Sequence, residues 1–136
     1  MTQVVWIYGP SGVGKTKYIV DELKKYDGKE IAIIDHIRGS YVEGFVSKHE
    51  AKVVVIDNYS EDMMTINNLL KIIDGGEYRI KGKGIVVFKP EIVYISCLYE
   101  PERCQQVYNN RKLTKDKQLK IQELKERITT FIHLTA

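Results

Sequence analysis

Val4-Val5-Trp6-Ile7-Tyr8 runs directly into Gly9-Pro10-Ser11-Gly12-Val13-Gly14-Lys15-Thr16. The first five residues are β-branched, aromatic and apolar without alternation, the pattern of a strand buried on both faces. The next eight fit G-x-x-x-x-G-K-[ST]. Glycine at positions 9, 12 and 14 lets the backbone take positive φ and turn its N–H groups toward one anion. A helix beginning near Lys15 adds its positive N-terminus. Lys15 is placed to reach the β- and γ-phosphates of a nucleoside triphosphate, and Thr16 to offer a hydroxyl to Mg²⁺. A chance glycine-rich turn needs neither the strand before it nor the helix after it. The stretch therefore predicts ATP and Mg²⁺ as ligands, with Pro10, Ser11 and Val13 completing the loop.

Outward from this stretch, strands and helices alternate. Ile19, Val20, Leu23 and Tyr26 share a helix face that Asp27-Gly28 ends. Ile31 to Ile34 reads as a second strand, and 35–52 as a loop flanking a short helix, because of Gly39 and Gly44. Val53 to Ile56 is a third strand, stopped by Asp57-Asn58. A helix is predicted over 62–74 with Met63, Ile66, Leu69, Leu70 and Ile73 inward. Tyr78-Arg79-Ile80 and Ile85 to Phe88 flank Lys81-Gly82-Lys83-Gly84 as a basic hairpin. Ile92 to Ser96 is a fourth buried strand. Pro101 opens a helix, and a charged helix over 114–127 directs Leu119, Leu124 and Ile128 inward. Thr130 to Leu134 ends the series as a strand. The alternation predicts an α/β, three-layer P-loop NTPase fold with a central parallel sheet of about five strands and an inserted basic β-hairpin.

The 136 residues suit a single domain over 1–136, and 43% apolar content supports a packed core. A net charge of +3 is too mild for a protein held mainly by phosphate-backbone contacts, so any nucleic-acid contact is local. Two cysteines, Cys97 and Cys104, are too few for a disulfide framework and point to a reducing compartment. No signal sequence or spanning apolar run is visible, so an intracellular, non-membrane protein is expected. His36, His49 and His133 lack metal-ligand spacing.

Asp57, at the end of a buried strand, is placed to hold the Mg²⁺ shell. The adjacent residue is Asn58, whose amide can orient a water but cannot take its proton. Glu61 and Asp62 are nearby substitutes, or the catalytic base is missing.

The order of these motifs resembles the superfamily 3 helicase domain of replication-initiator (Rep) proteins of circular single-stranded DNA viruses, circovirus-like ones in particular. The resemblance rests on GPSGVGKT at 9–16, VVVIDNY at 53–59, LLKIIDGGEYRIKGKGIVVF at 69–88, IVYIS at 92–96 and LKERITTFIHL at 124–134. It implies an ATP-driven motor on single-stranded DNA, a homo-oligomeric ring such as a hexamer, and a host nuclear location if the source is viral. It further implies that the hairpin cations Arg79, Lys81 and Lys83 face DNA. Where such proteins have a second strand-end acid, this chain has Asn58. Where they have a sensor Asn, it has Ser96-Cys97-Leu98, and Ser96 or Cys97 is the expected substitute. No His-hydrophobe-His pair of a nicking domain is present.

Ring ATPases need a cation delivered in trans to the γ-phosphate. Arg103, Arg111 and Arg127 are candidates, and Arg127 leads because it lies in the LKERIT stretch. A second basic run, Arg111, Lys112, Lys115 and Lys117, reads as a solvated face. Two other functions fit the phosphate loop: a small nucleotide or metabolite kinase, and a binding module with weakened hydrolysis.

Overall fold

The computed structural model describes residues 2–26, 30–47, 50–80, 84–108 and 113–135, without the side chains of 106–108. β1 (Gln3–Tyr8) buries Val4, Val5, Trp6 and Ile7, as a two-faced apolar strand must. The phosphate-loop stretch leads into α1 (Lys15–Leu23). Then come β2 (Ile31–Arg38), β3 (Tyr41–Val46), β4 (Glu50–Ile56), α2 (Ile66–Asp74), β5 (Gly76–Ile80) and β6 (Gly84–Cys97). α3 (Pro101–Tyr108), α4 (Lys115–Arg127) and β7 (Thr130–His133) complete the order.

The fold-class expectation is corrected by the strand order. The chain does not form an open, central parallel sheet in a three-layer P-loop fold. Its strands run β4-β2-β3-β5-β6, and β6 pairs again with β4, so five of them close into a barrel. β2–β3 and β5–β6 are antiparallel, while β2–β4, β3–β5 and β4–β6 are parallel. β1 and β7 extend from the outer side of β6 as parallel neighbours. The hairpin is therefore not an insertion. β5 and the first half of β6 are two walls of the barrel.

Three features close the ring. Segment 35–46 is strand and not a loop with a helix: β2 continues to Arg38, and β3 returns antiparallel on it. Gly44 (φ 151°) permits this where the ladder shifts between Ile34 and His36, because a Cβ there would strike the carbonyl oxygen of Ile33. β3 then pairs with β5 through Tyr41–Arg79 and Val42–Ile80. Finally, β6 spans 14 residues as one strand, against two in the sequence reading. Its Pro90 falls between the partners Phe88–Ala51 and Ile92–Val53, where the register shifts and no ladder N–H is required.

Side chains from all five barrel strands join one buried cluster, including Ile34, Ile37, Val42, Val54, Tyr78, Phe88 and Ile95. α2 adds Ile66, Leu69, Leu70, Ile72 and Ile73 to it, and α4 adds Ile121 and Leu124. A separate cluster joins Ile19 of α1 to Val5, Ile7, Val53, Val55, Ile92 and Tyr94. α2 starts at Ile66 and not near 62, because Thr65 caps it by accepting from the Asn68 N–H at 3.2 Å. Thr114 caps α4 in the same way. Leu119, expected inward, is 65% exposed, and Ile121 takes the inward position.

Candidate functional site

The register brings three strand ends together. Tyr8 of β1 pairs with Cys97 of β6, and Ile56 of β4 pairs with Ile95 of β6. The phosphate loop after Tyr8, the Asp57-Asn58 pair and the Ser96-Cys97 pair therefore share one edge. This is the carboxyl end of the parallel strands, where α/β ligand sites form.

Gly9 anchors the loop. Its φ is 154° and an added Cβ would meet the Leu134 carbonyl oxygen, so no other residue fits without backbone movement. Gly14 caps α1 in the left-handed region (φ 103°), with no side chain accepting from the first turn. The N–H groups that open α1 are thereby left for an anion. Ser11, Gly12, Gly14, Lys15, Thr16, Lys17 and Asn58 line a cavity of about 350 Å³ over this turn.

Lys15 is 6% exposed, and its Nζ donates to the carbonyl oxygens of Gly9 and Pro10. An ammonium has three N–H donors. Two brace the loop and the third can serve a phosphate. Thr16 Oγ1 donates to Asp57 Oδ2 at 2.9 Å, although 41 residues separate them. The other carboxylate oxygen, Oδ1, accepts from Ser96 Oγ. Ser96 Oγ also accepts from the Asn58 N–H at 2.7 Å, and Ser96 O accepts from the Tyr59 N–H. Ser96 is fully buried. It holds the acidic strand end in place and does not face the cavity as a sensor would.

Mg²⁺ keeps several waters and takes one or two protein oxygens beside substrate phosphates. A hydroxyl and a carboxylate together at the mouth of an anion-binding turn fit that demand. No group of three or more His, Cys, Asp or Glu is placed for a metal among the described residues.

Asn58 sits in the left-handed region (φ 56°), which asparagine tolerates better than most residues. It is exposed and lines the 350 Å³ cavity. It also lines a second cavity of about 440 Å³ with Ser11, Tyr59, Glu61, Cys97, Leu98, Tyr99 and Cys104. Glu61, one substitute base, is committed elsewhere. Its side chain is 4% exposed and accepts from Lys117 Nζ at 2.7 Å, tying α4 to this segment. Lys117 is thus half of a partly buried ion pair and not a member of a solvated basic face. Asp62 is exposed.

The candidate trans arginines separate. Arg127 grips Asp74 through Nε at 2.6 Å and Nη2 at 2.7 Å, and its Nη1 donates to the Glu123 carbonyl oxygen. It stands just before Thr129, whose N–H bonds Val4 O, hence at the opposite end of β1 from the loop. The guanidinium is a fork between α4 and α2. Arg103, on α3, lies over the Tyr99 ring at 4.9 Å, beside the second cavity. Arg111 lies outside the described residues, as do Lys112, His49 and the hairpin residues Lys81 and Lys83. Arg79 is exposed on β5, and Lys115 is exposed on α4.

Two features had no strong sequence signal. One is the role of Ser96, which depends on the β4–β6 register. The other is the approach of Cys97 Sγ to within 2.7 Å of Cys104 Sγ, across the turn from β6 to α3. No protein-family model matches the chain, and no curated protein matches it significantly.

Proposed function

We propose that the chain binds Mg-ATP at the Gly9–Thr16 turn and hydrolyses it as the motor of a replication-initiator-type DNA helicase. The observation that carries the nucleotide reading is the meeting of Thr16 and Asp57 at 2.9 Å, at the mouth of a turn whose helix N-terminus is uncapped. Backbone N–H groups and Lys15 seat the phosphates. Thr16 and Asp57 would hold Mg²⁺, which supplies charge neutralisation to the β- and γ-phosphates. Ser96 fixes the Asp57 carboxylate. Asn58 orients the attacking water through its amide.

A kinase reading has one observation in its favour. The second cavity adjoins the phosphate cavity through Ser11 and Asn58, and its volume is that of a small-molecule pocket. Phosphate release to water, stimulated by single-stranded DNA, supports the motor. Transfer to a small hydroxyl acceptor without DNA stimulation supports the kinase. No turnover with ATP binding intact supports the binding module.

The DNA contact is assigned to the β5–β6 hairpin, whose basic residues are Arg79, Lys81 and Lys83. Lys81→Ala with Lys83→Ala is expected to weaken single-strand binding and to reduce the salt slope by roughly 0.7 per lost phosphate contact. Fluorescence anisotropy across a salt series, with Mg-nucleotide present, reads this directly. Unchanged affinity and slope would move the DNA site elsewhere.

Asn58→Asp tests the water-orienting role. Aspartate also tolerates the left-handed backbone, so the substitution changes chemistry more than shape. It adds a base, for which general-base catalysis gives about 10²–10⁴-fold at most. It also adds a like charge beside Asp57, so the gain in turnover is smaller. A fall in steady-state phosphate release would show that the site depends on the amide.

A further inference from the structure

Cys97 closes β6 and is buried, whereas Cys104 lies in the first turn of α3 and is partly exposed. Their sulfurs are 2.7 Å apart, and both face the Tyr59 carbonyl oxygen, at 3.6 and 4.0 Å. Both residues line the 440 Å³ cavity that adjoins the phosphate turn. Placement of two thiols side by side across a strand-to-helix turn, with a route from solvent, goes beyond what packing requires. We propose that Cys97 and Cys104 form an oxidisable dithiol, which a low-molecular-weight disulfide entering the cavity converts to an intramolecular disulfide in the wall of the nucleotide site.

The chemistry balances as thiol–disulfide exchange. The Cys97 thiolate attacks one sulfur of the reagent, whose S–S bond breaks and releases one thiolate that takes a proton from water. Cys104, deprotonated in turn, attacks the Cys97 sulfur of the mixed disulfide and expels the second thiol. The pair loses two electrons and two protons, and the reagent is reduced to two thiols. Hydrogen bonding with Cys104 draws the Cys97 thiol down to about 7 against the opposing effect of burial, with help from the Tyr99 and Leu98 backbone. The same shared proton, together with burial, holds Cys104 well above its ordinary range. Cys97 is thus the attacking sulfur and Cys104 the resolving one. Oxidation removes the thiol protons from beside the Tyr59 carbonyl oxygen, one residue beyond Asn58. In a reducing compartment the disulfide is transient.

Trp6 is a built-in reporter. It is the only tryptophan, its Nε1 donates to the Tyr99 carbonyl oxygen at 3.0 Å, and its ring meets Tyr59 edge-on at 6.0 Å. The test treats the whole chain with 2-hydroxyethyl disulfide, followed by intact mass, peptide mapping and Trp6 emission. The expected product has lost two hydrogens, carries a Cys97–Cys104 linked peptide, and shows a changed Trp6 emission that dithiothreitol reverses. Cys104→Ala, at the less buried position, removes the second sulfur and is expected to give no internal disulfide and at most a single mixed disulfide on Cys97. Two freely alkylated thiols after treatment, persistent mixed adducts on the unsubstituted chain, or disulfide-linked dimers in place of the internal link would each overturn the proposal.

Discussion

Lys15→Ala is expected to lower ATP turnover by at least about 10²–10³-fold, the loss that follows removal of one preorganised charge-stabilising donor. The substitution deletes the buried cation of the phosphate turn and also its brace. Two of the three ammonium donors hold the carbonyl oxygens of Gly9 and Pro10. Removing them leaves those carbonyls unpaired beside the uncapped start of α1, so ATP affinity falls together with turnover. Lys15→Arg restores charge but not shape, because a planar guanidinium cannot fold back onto both carbonyls as a compact ammonium does. Its turnover is expected to stay near that of Lys15→Ala. Steady-state phosphate release and a nucleotide-binding titration check both variants. Unchanged turnover in Lys15→Ala would place the phosphates elsewhere.

The placement of the Gly9–Thr16 turn between a buried strand and a helix was legible because its parts are local. The strand, the glycines, Lys15 and Thr16 occupy one contiguous stretch, and positive φ at Gly9, Gly12 and Gly14 follows from their spacing. Asp57 stands out in the sequence because a buried strand that ends in an acid marks itself, and in the structure it meets Thr16 at 2.9 Å. The contact of Ser96 with Asp57 is invisible in the sequence because the two lie 39 residues apart, and only the β4–β6 register brings the hydroxyl to the carboxylate. Arg127 leads the trans candidates in the sequence because it lies in the LKERIT stretch, and the pairing that holds it in the structure, with Asp74, spans 53 residues and leaves no local signal.

The barrel was not legible, and particular residues explain why. Gly39 and Gly44 look like loop punctuation. One makes the β2–β3 turn and the other permits a close backbone approach, so both serve strands. The inward residues Ile37, Val42 and Val46 are spread too thinly among polar neighbours for a period of two to stand out. In β6, Lys89-Pro90-Glu91 looks like a break between strands. It is the point where the strand shifts register against β4 without ending. Closure itself needs the β3–β5 pairing, a long-range contact that no local pattern encodes.

Ser96→Ala separates a positioning serine from a sensing one. Loss of the hydroxyl, which is fully buried, strips the Asn58 N–H of its acceptor and the half-buried Asp57 carboxylate of a donor. A buried polar group without a partner costs about 1–3 kcal/mol. The variant is therefore expected to melt on the order of 10 °C lower, by the scaling for a domain of this size. The Mg²⁺ concentration for half-maximal turnover is expected to rise about 10–100-fold, as when a metal ligand loses the partner that orients it. Turnover at saturating Mg²⁺ should fall less. A serine that sensed the γ-phosphate would give the reverse pattern, with the Mg²⁺ midpoint unchanged and turnover at saturation reduced. Ser96→Thr keeps the hydroxyl and adds one methyl to a packed position, which costs about 1–3 kcal/mol of stability. It is expected to lower the melting temperature like Ser96→Ala but to restore the Mg²⁺ midpoint. A Mg²⁺ midpoint in Ser96→Thr that stays as high as in Ser96→Ala would assign both effects to lost packing and remove Ser96 from the site.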